Sequence, residues 1–197
     1  RAFREHAPNA FLVNGPGLWK DDAFYVQWAD IAQLFDAHGF THHVISNEPD
    51  CTWLTGGRPP WVAEVATLPE AMRIADHVRA KAERVRRLFG NKPVMLMDLG
   101  VTRCGWGEEG QAQIVRTLVD ALPALHADAR LSGVVIRHEA PAPEGRDMGV
   151  NNEGMFPYHG FPAEQEVARG VGVVQALLRT PETQPAGVPV PAVTPAD

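Results

Sequence analysis

One pattern occurs four times along this chain and limits the folds open to it. A short apolar run is followed by a polar or glycine-rich turn, and then by a segment whose apolar residues have helical spacing. The runs are AFLVNGPG at 10–17, THHVISNEP at 41–49, PVMLMDLG at 93–100 and LSGVVIRHE at 131–139. Strands that alternate with helices pair in parallel through right-handed crossovers, so the sequence predicts an α/β fold of four βα units.

The helices between these runs are predicted from their apolar stripes and caps. The second helix begins in TLPE, where Thr67 caps the first turn and Glu70 completes a capping box, and it ends at Gly90. A third and a fourth helix are predicted at about 109–125 and 163–178. The first helix is predicted at 22–38. Its apolar stripe, which should pack against the sheet, consists of Phe24, Trp28, Ile31 and Phe35.

Four parallel strands leave both outer strands of their sheet open. Two architectures fit: a small doubly wound sheet, or half of a (β/α)8 barrel completed by a segment or chain outside this sequence. We assign residues 1–180 to this domain. Residues 181–197 are rich in proline and poor in large side chains, which is typical of an extended tail or linker.

Charge and hydropathy exclude some partners. The formal charge is −6 and no cluster of Lys or Arg is long enough to follow a phosphate backbone, so nucleic acid is not expected as a partner. No run approaches the roughly 20 apolar residues of a membrane span. The chain begins at Arg1 without a visible signal peptide, and a leader or N-terminal region removed earlier would leave no trace, so the sequence assigns no compartment.

Two cysteines follow neighbouring predicted strands. Cys51 and Cys104 lack the spacing of a metal site and are expected to be free thiols, with a disulfide between them as the alternative. In either case both are expected on the same rim of the sheet. A bond requires their Cα atoms to lie within roughly 7 Å of each other.

Asp98 ends the most apolar of the predicted strands. Side chains just beyond the carboxyl ends of parallel strands face the ligand crevice, where a carboxylate can serve as a nucleophile or base. The alternative is that Asp98 caps the turn by accepting hydrogen bonds from backbone amides near Gly100. The sequence alone leaves both interpretations open.

Other strand ends add candidate substrate contacts. Glu48 follows the second strand, and His138 and Glu139 follow the fourth. Strands about 4.8 Å apart would allow Glu48 and Asp98 the ~5 Å spacing of a retaining glycosidase pair. The alternatives are a surface-loop role for Glu48 and a bond from His138 to neighbouring backbone.

Tryptophans are concentrated in the turns after the predicted strands. Aromatic faces around a crevice bind sugar rings, because the C–H face of a pyranose is flat and apolar. Local packing is the alternative for each of them. The four are Trp19, Trp53, Trp61 and Trp106.

The sequence does not favour a metal site, and no cofactor is predicted. His42 and His43 are consecutive on a strand and point to opposite faces, so at most one can be a ligand. NGPG lacks the third glycine of a dinucleotide-binding fingerprint. The side chains of suitable type are His42, His43, Glu48, Asp50, His138 and Glu139.

Six segments taken in order resemble the C-terminal half of the clan A glycoside hydrolase barrel. They span about residues 10–178 and are FLVNGPGLW, FTHHVISNEP, NKPVMLMDLG, EEGQAQIVRTLVDAL, LSGVVIRHE and EGMFPYHGFPAEQEVARGVGVVQALL. The resemblance implies strands five to eight of a (β/α)8 barrel, carbohydrate as the substrate, retaining hydrolysis, and no cofactor. It places Asp98 where that family has its glutamate nucleophile, and Trp19, Trp53 and Trp106 at sugar subsites.

Two departures from the family pattern qualify this expectation. Aspartate is shorter than glutamate, so its carboxylate would lie on the order of 1 Å further from the anomeric carbon, a shift that can cost about a hundredfold in rate. SNEP looks like the family's acid/base motif, but Glu48 is too near Asp98 in sequence, so the acid/base is expected before Arg1. The alternatives are a non-catalytic barrel that binds glycan or builds a larger cell-surface or phage-tail assembly, and a self-sufficient flavodoxin-like domain.

Overall fold

The computed structural model describes residues 5–15, 18, 21–52, 64–136 and 162–179. Its strands all belong to one sheet. They are β1 Val13–Asn14, β2 Ala37–Ser46, β3 Glu64–Ala66, β4 Val94–Val101 and β5 Leu131–Ile136.

Helices separate the strands along the chain, as the repeated pattern predicts. None of those described is both long and apolar enough to cross a membrane. They are α1 Asp22–Val26, α2 Ala29–Ala32, α3 Pro49–Thr52, α4 Leu68–Ala71, α5 Ile74–Phe89, α6 Gly107–Ala129 and α7 Pro162–Arg179.

Every strand pair in the sheet is parallel. The order is β1-β2-β4-β5, and the short β3, which the sequence did not predict, pairs with the end of β2. β4, which contains most of the predicted run at 93–100, therefore lies between β2 and β5. The α/β class and the parallel sheet are confirmed as well.

Helices α5 and α6 cover one face of β2 and β4 with a continuous apolar core. Phe40, Leu96 and Leu99 from the strands are fully buried together with Val85 and Ile114 from the helices. Burial of each such side chain contributes about 1.5–3 kcal/mol. We refer to the opposite face of the sheet, which these helices do not cover, as the inner face.

The predicted second helix is present with its caps. Thr67 and Glu70 form the capping box: the Thr67 side chain accepts from the Glu70 amide, and Glu70 accepts from the Thr67 amide. The helix is interrupted between α4 and α5, and the cap after α5 is Gly90 with φ +92°, a conformation that favours glycine. The third and fourth helices are confirmed as α6 and α7, each slightly longer than predicted.

The prediction of one helix over 22–38 is wrong. Two short helices, α1 and α2, replace it, and β2 begins at Ala37 because Asp36 is tied to Leu12. The Asp36 carboxylate accepts from the Leu12 amide at 2.7 Å, and the Asp36 amide donates to the Leu12 carbonyl at 2.8 Å.

The stripe predicted to pack against the sheet is mostly exposed instead. Phe24, Trp28 and Ile31 are 38%, 48% and 47% exposed, and the buried side chains of these two helices are Tyr25 and Ala32. The helical spacing therefore marks a face of α1 and α2 that the described residues do not cover.

Cys51 and Cys104 form a disulfide, so the expectation of free thiols is wrong and its alternative is confirmed. Their Cα atoms are 5.6 Å apart. Cys51 lies in α3, just after β2, and Cys104 lies in the turn after β4. Because parallel neighbours end at the same edge of a sheet, the predicted shared rim is confirmed.

Candidate active site

Asp98 lies within β4 and not beyond its end. The strand continues through Val101, because Leu99 and Val101 are fully buried and residues 99–101 stay in register with 42–44 of β2. Both interpretations of the sequence, a rim carboxylate and a turn cap, put Asp98 at the end of the strand. The position is corrected to three residues before the strand ends.

β4 carries one extra residue beside Asp98. On the β2 side, Phe40 is level with Leu96, whereas the next residue, Thr41, is level with Asp98. Met97 is therefore additional, which is the geometry of a β-bulge.

The same irregularity is present on the β5 side. Three steps along β4, from Leu96 to Leu99, match only two steps along β5, from Val134 to Ile136. Leu96 and Leu99 both belong to the helix-covered core although they are an odd number of residues apart. Regular alternation would put Asp98 on the core face with Leu96, and the bulge places it on the inner face instead.

His43 of β2 is the partner of Asp98 on the inner face. Its Nε2 lies 3.1 Å from Asp98 Oδ2, and the side chains of His43 and Asp98 are 7% and 24% exposed. The contact places a ring nitrogen of His43 beside one oxygen of the Asp98 carboxylate. The sequence indicated His43 only as a possible metal ligand, although its alternation with His42 placed the two side chains on opposite faces of the strand.

His42 points to the helix-covered face, which confirms the predicted opposition of the two histidines. Its Nδ1 lies 2.8 Å from Lys81 Nζ of α5, and its ring centroid lies 5.9 Å from that of His77. An ammonium group can only donate, so Nδ1 accepts and the ring is neutral. Burial, followed by the charge of Lys81, holds the pKa of His42 well below its usual 6.5.

This buried ring predicts acid sensitivity of the fold. The unfolded chain binds a proton at His42 near pH 6.5, whereas the folded chain does so only at lower pH. The stabilisation is therefore complete above about pH 6.5 and is lost as pH falls from there toward the folded pKa, by up to about 1.4 kcal/mol per pH unit. Urea unfolding at pH 7.5 and 5.5 measures it.

Replacing His42 by Gln should reduce the loss of stability between those two pH values, and His6→Gln, at an exposed histidine, should leave it unchanged. Some pH dependence should remain in His42→Gln, because burial also lowers the pKa of His38. A His42→Gln protein with the full wild-type pH dependence would contradict this assignment.

Glu48 is exposed and lies on the rim, away from Asp98. Thr41 is level with Asp98 and β2 continues from there to Ser46, roughly 16 Å further along the strand, and Glu48 lies beyond that end. The suggested close pair of these carboxylates is not formed. Glu48 instead adjoins Gly105, where an added Cβ would lie 2.9 Å from Glu48 Cγ.

Trp106 lies at the start of α6 and packs partly against the core. An added Cβ on Gly110 would come within 2.6 Å of its Cβ, so the indole is held close to the helix. Local packing accounts for this position, and a contact with sugar stays a prediction. Trp19, Trp53, Trp61, His138 and Glu139 lie outside the described residues.

Among the residues that the structure describes, no group of three or more His, Cys, Asp or Glu side chains is placed to hold a metal ion. The candidate site is thus built from the bulge of β4, the Asp98–His43 pair and the cross-linked rim above them. Such a site offers a carboxylate beside an imidazole.

Comparisons with solved structures give the fold of this arrangement. A mutant of the glycoside hydrolase family 5 mannosidase from Rhizomucor miehei matches with a TM-score of 0.51 at 15% identity, over 88% of this chain and 46% of that chain. A thermostable mutant of a xylanase from Cellvibrio japonicus matches with a TM-score of 0.48 at 15% identity, over 86% of this chain and 53% of that chain.

No protein-family model and no curated protein matches the sequence significantly. At this identity the likeness to the mannosidase shows the fold alone. The chain spans about half the length of the solved chains it matches. It therefore has the fold of part of a (β/α)8 barrel similar to those of clan A glycoside hydrolases, as the sequence predicted.

Proposed function

We propose that this chain is the C-terminal half of a glycoside hydrolase barrel that cleaves a glycosidic bond with retention of configuration. Asp98 acts as the nucleophile, or as the group that stabilises the oxocarbenium ion. The observation that carries the proposal is the bulge of β4, which puts Asp98 on the inner face beside His43. Bulges occur often next to active sites, where they re-aim a side chain.

The chemistry needs an ionised carboxylate of fixed orientation. Positive charge develops at the anomeric carbon in the transition state, and a carboxylate held in advance meets it without reorganisation. His43 supplies that orientation through its contact with Oδ2. Because aspartate is shorter than glutamate, the sugar has to lie about 1 Å closer to β4 than it would with glutamate. A misplacement of about that size would lower the rate about a hundredfold.

The remaining parts of the proposed site come from other residues of this chain and from the complementary half. The acid/base is a glutamate of the complementary half. Carbohydrate contacts are Trp19, Trp53 and Trp106 at the sugar subsites, with Glu48, His138 and Glu139 around them.

The surface of the chain supports completion of a barrel by another segment or chain. β5 is the outer strand at one end of the described sheet, and β1 and β3, which pair with different stretches of β2, form the other end. Large exposed apolar residues lie near these two ends, whereas the described residues of α5 and α6 expose none. They are Phe11, Phe24, Val26, Trp28, Ile31 and Leu34 at the first end and Val135 and Val171 at the last.

Charging the first of these surfaces is expected to change association and not folding. Trp28→Glu combined with Ile31→Glu should alter the free energy of unfolding by no more than about 0.5 kcal/mol, as usual for surface sites. It should reduce self-association of the isolated chain, measured by sedimentation velocity, because an exposed apolar patch drives association. The neighbouring Gln27→Glu adds charge without removing apolar area and serves as the control. Equal self-association of the double variant and the wild type would contradict the assignment.

Hydrolysis assays test the proposed function. The polypeptide should include the complementary strands, and mannosides are tested first because a mannosidase shares the fold. Turnover with retained configuration at the anomeric carbon, seen by NMR of the first product, supports the proposal. Glycan binding without turnover across the panel would overturn it and favour a non-catalytic barrel.

A further inference from the structure

Helix α5 places a lysine against the strand segment that lies opposite Asp98. Lys81 Nζ donates to the carbonyl oxygen of Thr41 at 3.5 Å and to His42 Nδ1 at 2.8 Å. Thr41 is the residue of β2 that is level with Asp98. One ammonium group thus holds two consecutive residues of β2 at the point where the register shifts.

The register shift explains why an extra donor is useful at this point. A bulge disrupts the ladder locally, and backbone groups that lose a regular partner need another one. His42 is 1% exposed, so its ring also needs a polar partner within the protein. Lys81 supplies a donor to the Thr41 carbonyl and to the His42 ring from the helix side, while the next residue, His43, contacts Asp98 on the inner face.

We propose that Lys81 is a positioning residue for Asp98. By fixing Thr41 and His42, it holds the segment of β2 against which the bulge of β4 is seated, and so keeps the Asp98 carboxylate beside His43. Its catalytic consequence rests on the function proposed above, whereas its structural consequence can be measured on this chain alone.

The chain offers a matched control for this inference. Lys92 Nζ also donates to two backbone carbonyls, those of Gln33 at 2.7 Å and Phe35 at 2.5 Å, and neither belongs to the Asp98 bulge. Lys81→Met and Lys92→Met therefore remove the same kind of interaction and keep most of the aliphatic stem. Lys81→Arg retains the charge and several donors.

Two readouts on the isolated chain test the inference. Amide hydrogen exchange is measured at Asp98 and Leu99 relative to Leu96, so that a general loss of stability cancels. The 15N signal of His43 Nε2 reports its contact with Asp98. We expect Lys81→Met to raise the relative exchange by about tenfold or more and to shift the His43 signal. We expect Lys92→Met to change neither, and Lys81→Arg to stay closer to wild type than Lys81→Met.

The inference and the proposed function can fail separately. The positioning role would be overturned if Lys81→Met and Lys92→Met gave the same relative exchange and the same His43 signal. This holds even for a polypeptide that hydrolyses glycosides. Where hydrolysis is present, Lys81→Met should lower kcat by about tenfold or more with little change in KM, because Asp98 is misplaced and Lys81 lies on the helix-covered face. Absence of hydrolysis together with the exchange and 15N effects would support the positioning role while removing the proposed function.

Discussion

Replacing Asp98 by Asn should abolish glycoside hydrolysis and leave the fold intact. Asparagine keeps the shape of the side chain and its contact with His43, so the free energy of unfolding should fall by no more than about 1 kcal/mol. It cannot form a covalent intermediate or meet positive charge at the anomeric carbon. We expect kcat/KM of the completed barrel to fall by about a thousandfold or more.

Asp76→Asn is the matched control for this substitution. Asp76 lies on α5, where it pairs with Arg73 across an exposed surface, so the same chemical change should leave turnover unaltered. Thermal unfolding and turnover are measured on both variants. Unchanged turnover in Asp98→Asn, with a loss of stability alone, would show that Asp98 has only a structural role.

Removing the disulfide should cause the largest loss of stability among the substitutions considered. Cys51 and Cys104 are separated by 53 residues in sequence, and closing a loop of that length restricts the unfolded chain by about 4 kcal/mol. The Cys51→Ala, Cys104→Ala double variant should therefore unfold at a clearly lower urea concentration. Alanine is suitable because Cys51 is buried.

Reductant provides the control for this prediction. Dithiothreitol should destabilise the wild-type chain by a similar amount and should have no effect on the double variant. Wild-type stability that is insensitive to both reduction and substitution would contradict the disulfide.

The parts of the fold that depend on local pattern were predictable from the sequence. The capping box at Thr67 and Glu70, the end of the helix at Gly90 and the long helix α6 follow from side-chain chemistry within a few residues. The parallel pairing of β2, β4 and β5 follows from the alternation of strands and helices.

The wrong predictions concern segments whose structure is determined by contacts between residues far apart in the sequence. The segment predicted as one helix over 22–38 forms two short helices, and β2 begins at its end because Asp36 pairs with Leu12 across the sheet. The helical spacing of its apolar residues correctly predicted that they share one face. It could not predict whether the sheet covers that face. Spacing likewise cannot report whether Cys51 and Cys104 meet, since that depends on the turns after two neighbouring strands.

The position of Asp98 could not be derived from its own strand. A polar residue that follows an apolar run is typical of a strand end. Here the strand continues beyond Asp98, because Leu99 and Val101 are buried against the helices. The bulge that turns Asp98 to the inner face is visible only in the register with both neighbouring strands. His43 was therefore overlooked, although alternation along β2 placed it on that face.

Covalent trapping is the most direct test of the central claim, that Asp98 is the nucleophile of a retaining glycosidase. The completed barrel is incubated with the 2-deoxy-2-fluoroglycosyl fluoride of the sugar identified by the hydrolysis assay, and the labelled peptide is located by mass spectrometry. Fluorine at C2 destabilises the oxocarbenium-like transition state and slows release of a glycosyl–enzyme intermediate. We predict one sugar attached by an ester bond to Asp98 and no label in Asp98→Asn. A label on another residue, or no label on an enzyme that hydrolyses the parent glycoside, would contradict the claim.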